Sequence, residues 1–224
     1  MTSKDSPRHY PMPFTRVEVV VLTINEGAMS VLQGRRSESP YAGYWALPGG
    51  VLRIDLDKTL EDAPRRVIAE RLGVELPYLR QIGAVGGANR DPRAPWGLSV
   101  VYRALVPYES VIPKAGKRLE ALRWSDANEA TQDTKLAFDH SELISQAVSA
   151  LRREVEELAL PFKFLPAEFT LSELQGFCEV ILGKTLDKSS FRRRLADRKL
   201  VKPVSGRMRI GANRPAQLYQ RVKS

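Results

Sequence analysis

Nine consecutive residues, Arg16-Val17-Glu18-Val19-Val20-Val21-Leu22-Thr23-Ile24, place the tightest constraint on the fold. They are mostly β-branched, and the apolar run is continuous rather than alternating. Side chains of that shape suit a pleated surface, so the segment reads as a buried strand. Asn25-Glu26-Gly27 is a turn signal, and residues 29–33 return as a second strand to close a hairpin. Residues 81–88, 98–106 and 119–124 read as further strands. Residues 88–97 are polar and proline-containing, and are expected as a loop. Tyr44-Trp45-Ala46-Leu47-Pro48-Gly49-Gly50 ends in a turn that needs small residues. Beyond it Leu60, Val67, Ile68 and Leu72 recur at helical spacing and Gly73 stops the helix. Pro64 is tolerable only in a first turn, so this helix starts between residues 60 and 63.

A second regime begins at Asp139, which with Glu142 makes a capping box. The helix that follows runs to about Leu158 and puts Leu143, Ile144, Ala147, Val148, Leu151 and Val155 on one face. Pro161 and Pro166 then interrupt the chain. Thr170 with Glu173 is another capping box, and Leu171, Leu174, Phe177, Cys178, Ile181 and Leu182 continue at helical spacing to Gly183. Residues 187–199 form a further short helix. Residues 201–204, a Ser205-Gly206 turn, residues 207–210 and residues 217–222 form a small hairpin. The chain thus divides into an irregular arm (1–14), a mixed β/α unit that includes the connecting helix (15–158), and a helix-turn-helix-hairpin unit (160–224).

Charge marks the same division. The net charge of the 224 residues is +9. Residues 160–224 hold 14 Lys/Arg against 5 Asp/Glu, while residues 1–159 hold 21 of each sign. The whole excess therefore sits in the last unit, which points to a polyanionic partner. Hydrophobic residues at 43% and charged residues at 27% exclude a disordered chain. The single cysteine, Cys178, excludes a disulfide scaffold, and its place on an apolar stripe reads as a buried structural thiol. No apolar run approaches a membrane span, and the first 15 residues lack the apolar region of a secretory signal. A cytoplasmic protein is expected.

A helix, a tight turn, a second helix and a β-hairpin make a winged helix-turn-helix. Its second helix enters the major groove, with N-terminal residues at the base edges. Here that helix carries Lys188, Ser189, Ser190, Phe191, Arg192, Arg193 and Arg194. Phe191 and Leu195, four apart, face the core and leave the basic residues open to DNA. Arginine meets guanine edges and phosphates in bidentate fashion. Arg207, Arg209 and Arg214 in the wing suit backbone or minor-groove contacts. The competing interpretations are a basic bundle without a partner and a module that binds protein or RNA.

The segment from Trp45 to Gly50, with the helix ending Glu70-Arg71-Leu72-Gly73-Val74, resembles the Nudix family. That family's box arranges helix glutamates on one face to hold divalent metal against a diphosphate. With Gly73 as the box glycine, the box arginine is Arg66 and Glu70 is the first glutamate of the pair. Val67 and Arg71 replace the other two. Gly50 to Arg66 is two residues longer than the standard box, which leaves Asp55, Asp57 and Glu61 as candidates for the upstream carboxylate. A metal site of one carboxylate beside an arginine binds Mg²⁺ poorly, so neither a catalytic nor a metal-ligating residue is assigned. Glu70 reads first as a surface carboxylate paired with Arg66. The ligand pocket should survive. Its expected residues are Gly49 and Gly50 for close backbone approach, Arg35, Arg36, Arg53, Arg66, Arg90 and Arg93 as diphosphate clamps, and Glu70 at its edge. Tyr44, Trp45 or Trp96 would stack on a purine. His140 is expected to be structural.

The two units together resemble the Nudix-related transcriptional regulators (NrtR). The resemblance rests on Ala88-Asn89-Arg90-Asp91-Pro92-Arg93, Ala137-Phe138-Asp139-His140, the Leu165–Gln175 stretch, Leu186 to Arg193, and Arg214-Pro215-Ala216-Gln217-Leu218-Tyr219. It implies an α+β protein with an N-terminal Nudix α/β/α sandwich and a C-terminal winged helix-turn-helix. It further implies a bacterial cytoplasmic homodimer that represses NAD biosynthesis or salvage genes from palindromic double-stranded DNA operators. ADP-ribose or a related NAD-derived nucleotide is the implied effector, with no resident cofactor. Some relatives control sugar metabolism, and relatives with an intact box hydrolyse ADP-ribose.

Overall fold

The computed structural model describes residues 12–76, 78–210 and 215–222. A seven-stranded sheet is built around β1 (Phe14–Asn25). β1 pairs antiparallel with β2 (Ala28–Arg36) through a Glu26-Gly27 turn, in which both residues have positive φ, as a tight hairpin requires. On its other side β1 runs parallel to β6 (Ala94–Leu105), which pairs with β5 (Arg80–Asp91). The short β3 (Trp45–Ala46) and β7 (Leu119–Asp126) add to β2, and β4 (Gly49–Val51) adds to the start of β1.

The continuous apolar run of β1 follows from its two covered faces. Val17, Val19 and Val21 pack with Val67, Ile68 and Leu72 of α1 (Asp62–Leu72). Val20 and Leu22 pack on the opposite face with Leu143, Ile144 and Ala147 of α3 (His140–Glu156), beside the short α2 (Ala127–Ala130). These layers make the expected sandwich. Pro64 lies in the first turn of α1, and Gly73 ends it at φ 64°.

The core on the α3 face does not stop at the sheet. It continues into Phe164, Leu165, Phe169, Leu174, Cys178, Ile181, Phe191 and Leu195. Those residues belong to the second unit: β8 (Phe169–Thr170), α4 (Leu171–Leu182), α5 (Lys188–Asp197), β9 (Val201–Arg209) and β10 (Ala216–Arg221). The strands form a three-stranded sheet in the order β8-β10-β9 beside the two helices. α3 is therefore a shared wall of both units rather than a tether between them.

Three local expectations are corrected. Residues 88–97 are not a loop: β5 and β6 stay paired to Asp91 and Ala94, and only Pro92-Arg93 turn the chain. A bulge at Asn89, φ 62°, absorbs the polar stretch without breaking the ladder. Ser205-Gly206 is not the hairpin turn but a bulge inside β9, with Gly206 at φ 67°. The Gln217 side chain donates from Nε2 to the carbonyls of Val204 and Arg207 at 2.8 and 3.0 Å and so stands in for the missing ladder bonds. The Asp139/Glu142 capping box does not form, because Asp139 carries no cap bond and its carboxylate is held by Arg90. The Thr170/Glu173 box does form, with bonds of 2.7 and 3.1 Å.

Candidate ligand cleft and nucleic-acid interface

α1 lies across β4, and its last turn is covered by the loop that leads into β7. Amides of Lys114, Gly116 and Lys117 donate to the carbonyls of Leu72, Arg71 and Glu70, satisfying helix-end acceptors that would otherwise be open. This brings Arg118 beside Arg71. A cleft results, lined by Arg16, Arg36, Arg71, Arg93 and Arg118, with Gly49 and Gly50 on its floor and Glu38 on its rim.

The five guanidiniums differ in what neutralises them. Arg16 is held by Glu18 at 2.7 Å and Arg93 by Asp91, while Arg118 meets Glu38 at 3.2 Å. Among the described residues, Arg36 and Arg71 hydrogen-bond only to carbonyl oxygens. Arg36 donates to Pro40 and Glu38 carbonyls, and Arg71 to Gly49 at 3.2 Å and Lys117 at 2.7 Å. Burial, with Arg16 and Arg93 nearby, pushes Arg36 down to about 10. Burial and Arg118 also lower Arg71. Both shifts say that this cleft is already rich in positive charge.

The predicted clamps are distributed differently. Arg36 and Arg93 line the cleft. Arg35 is turned to Glu120 and Arg53 to Asp55, both on the exposed surface. Arg66 is locked to Asp57 by two bonds of 2.7 Å, so Asp57 is the one of the three upstream carboxylates that meets the helix. That bond lowers Asp57 and raises Arg66. Arg90 grips Asp139 at the start of α3. Glu70 lies 3.8 Å from Arg66 and 3.9 Å from Lys117, the surface pairing anticipated.

Gly49 and Gly50 line the cleft, and each also lies against one of the protein's own side chains. A Cβ on Gly49 would fall 1.6 Å from Glu18 Oε2, and one on Gly50 would fall 2.7 Å from Val67 Cγ2. Their smallness admits the protein's own side chains. Tyr44 and Trp96 are partly exposed, whereas Trp45 packs against the core and carries Arg123 over its ring at 4.2 Å.

Sequence reasoning missed Arg16, Arg118 and Phe138. The Phe138 ring has Arg16, Arg36 and Arg93 within 5.3, 5.2 and 5.8 Å, at a backbone φ of 57°. Arg71 was legible only as damage to a metal site.

Beneath the cleft lies a buried pair, Glu18 and His140. The Leu47 amide donates to His140 Nδ1 at 2.8 Å, and Nε2 stands 3.7 Å from Glu18 Oε2, which has no hydrogen-bond partner. Burial, then Arg16, Arg36 and Arg90, hold the ring well below the usual histidine range. Burial raises the Glu18 carboxyl, against the pull of Arg16.

The Nudix fold implies a divalent cation, and the donor set does not fit one. Val67 is buried against Gly50, Arg71 points a cation into the cleft, and Glu70 is shared between Arg66 and Lys117. Among the described residues no three His, Cys, Asp or Glu side chains converge.

On the second unit, Asp187 caps α5 by accepting from the Ser190 amide at 2.7 Å. Phe191 and Leu195 are buried, which turns Ser189 and Arg193 outward with Lys188 and Arg192 flanking them, all exposed. Ser190 is half-buried. Arg194 instead donates to the Glu156 carbonyl at the end of α3, at 3.0 Å. The wing arginines are also paired, Arg207 with Glu168 at 2.9 Å and Arg209 with Glu173. Arg214 lies outside the described residues. Among the described residues no helix is long and apolar enough to cross a membrane.

A Nudix-type sandwich sharing its core with a winged helix defines a class: a sensor domain built onto a DNA-binding domain. Family models match accordingly, the NUDIX domain over residues 14–147 and the NrtR DNA-binding winged helix domain over residues 161–220. The chain is 36% identical to the ADPR responsive transcriptional repressor NtrR of Acinetobacter baylyi, over 94% of this chain and 83% of that one. It is similar to Shewanella oneidensis NrtR complexed with a 27mer DNA, at 35% identity and TM-score 0.78, covering 93% of each chain. The NUDIX domain of Shewanella oneidensis NrtR complexed with ADP ribose is 32% identical, with TM-score 0.59, over 67% of this chain and 99% of that one. The chain belongs to the NrtR family of transcriptional regulators.

Proposed function

We propose that this protein is a transcriptional repressor of NAD biosynthesis or salvage genes whose operator binding is released by ADP-ribose or a related NAD-derived nucleotide. The observation that carries this reading is α3. Its first residues are fastened to the cleft side of the sheet by His140 and by the Asp139–Arg90 pair. Its far end packs on the winged helix and accepts a bond from Arg194 of α5. A ligand that changes the cleft thus acts on an element that also holds the recognition helix. In this reading the diphosphate enters the cleft lined by Arg36, Arg71 and Arg93, and Lys188, Ser189, Arg192 and Arg193 meet DNA.

The working form is a cytoplasmic homodimer on a palindromic operator. Its two α5 helices stand about one DNA turn apart, roughly 34–36 Å, to reach successive major grooves. The effector shifts that spacing only by its differential affinity for the two states.

The test is a gel-shift titration of DNA upstream of this gene and of neighbouring NAD or sugar genes, with and without ADP-ribose. A shifted band dissolved by ADP-ribose is the expected result. A band indifferent to ADP-ribose moves the effector to another phosphorylated ligand, as in a regulator of sugar metabolism. Absence of any shift, together with Mg²⁺-dependent release of AMP from ADP-ribose, replaces the repressor with a pyrophosphatase.

A further inference from the structure

We infer that Arg71 stands in for the divalent metal, so that the cleft takes a nucleoside diphosphate diester as the free dianion, without Mg²⁺. The inference rests on the cleft being the effector site and names how that site recognises its ligand.

Residues 67 and 71 are four apart on α1 and share a helix face. In this chain neither position carries a carboxylate. Val67 closes down on Gly50, within 2.7 Å of where a Cβ there would sit. One turn later the Arg71 guanidinium bridges the Gly49 carbonyl on the cleft floor and the Lys117 carbonyl in the covering loop. Two opposed segments hold it, so its direction into the cleft is fixed before any ligand arrives.

Charge balance supplies the second, independent observation. Of the five arginines lining the cleft, Arg16, Arg93 and Arg118 each have a carboxylate partner. Among the described residues, Arg36 and Arg71 hydrogen-bond only to carbonyls, although both are half-buried and lie among other guanidiniums. Two half-buried cations with no carboxylate in direct ion-pair contact are poorly compensated on their own and gain when an anion enters. A diphosphate diester carries two negative charges, one on each phosphoryl group, which matches two such guanidiniums. Planar guanidinium forks donate to phosphoryl oxygens in bidentate fashion. A divalent cation entering the same cleft would meet this positive charge with no carboxylate pair to receive it.

Calorimetric titration of the full chain with ADP-ribose, once in EDTA and once in Mg²⁺, tests the inference. The expected result is a Kd equal within twofold in the two buffers. Arg71→Gln should weaken binding at least tenfold in both, and Arg71→Lys, which keeps the charge but loses the fork, should fall between. Wild-type binding that EDTA abolishes would overturn the inference and leave the effector reading intact. Arg71→Gln binding as tightly as wild type would also overturn it. Binding in neither buffer would remove the effector reading and this inference with it.

Discussion

The amide of Leu47 donates to Nδ1 of His140 at 2.8 Å, joining the chain segment that enters the Gly49-Gly50 floor to the first residue of α3. This bond fixes the neutral ring with its proton on Nε2, aimed at the Glu18 carboxylate 3.7 Å away. It is a direct connection from the cleft floor to the helix that packs on the winged helix. His140→Phe keeps the bulk and removes the acceptor. The stranded Leu47 amide should cost about 1–3 kcal/mol of stability. The informative measurement is the operator gel shift: the variant should still bind DNA, and the loss of affinity caused by ADP-ribose should shrink at least threefold. A variant that responds like wild type would remove His140 from the coupling.

The same ring sets a dependence on pH. Its folded pKa is lowered, so the folded protein excludes a proton that the unfolded chain binds. The stabilisation from neutral His140 is present above the unfolded histidine range and is lost as pH falls below about 6.5. Glu18 acts oppositely: its raised pKa favours the fold below the carboxylate range, and that share is lost as pH rises. A comparison with His140→Gln isolates the histidine. Between pH 7.5 and 5.5, wild type should lose more stability than the variant in urea denaturation, on the order of 1 kcal/mol. Equal losses would show that the ring titrates normally.

On α5, Arg192 and Arg193 separate from Arg194, which is bonded to the end of α3. Arg193→Ala and Arg192→Ala should each weaken operator binding by about 1–3 kcal/mol where they read a base, or lower the salt slope where they meet phosphate. Arg194→Ala breaks a bond to the Glu156 carbonyl and should change DNA affinity less than either. A gel-shift series at several salt concentrations reads all three, and an Arg194 effect exceeding both others would mean that the helix presents a different face.

The wing holds a further expectation. Arg207 is paired with Glu168, which lies just ahead of β8. DNA phosphates must compete with that carboxylate. Glu168→Gln removes the competitor and should tighten operator binding severalfold at low salt, with the gain fading as salt screens it. Unchanged affinity would place Arg207 away from the DNA backbone.

How much of this was legible depended on how local each cause is. The β1 run, the Gly73 and Gly183 stops, the Thr170 cap and the apolar faces of α3 and α5 follow from periodicity and short-range chemistry, and the sequence shows them. The helix from Asp139 was foreseen, but not that Asp139 gives its carboxylate to Arg90, 49 residues away. The arginines of the cleft were miscounted for the same reason. Which of them keeps a free charge is decided by partners such as Glu120 and Asp57, brought close only by sheet registry and loop path. Arg71 was visible as a substitution, yet its direction depends on the loop at Lys117 that caps α1.

Gly49 provides the last test, because two interpretations of one residue differ. If its smallness served a ligand, Gly49→Ala would weaken ADP-ribose binding and leave the fold intact. The structure instead puts Glu18 Oε2 1.6 Å from the new methyl, and Glu18 is buried. Displacing it would strain its bond to Arg16 and its approach to His140. Overpacking of this kind typically costs about 1–3 kcal/mol. Gly49→Ala should therefore lower the urea midpoint even without ligand. Its damage should fall when combined with Glu18→Ala, which vacates the site, more than independent effects would allow. Additive losses would show that the methyl and the carboxylate do not meet.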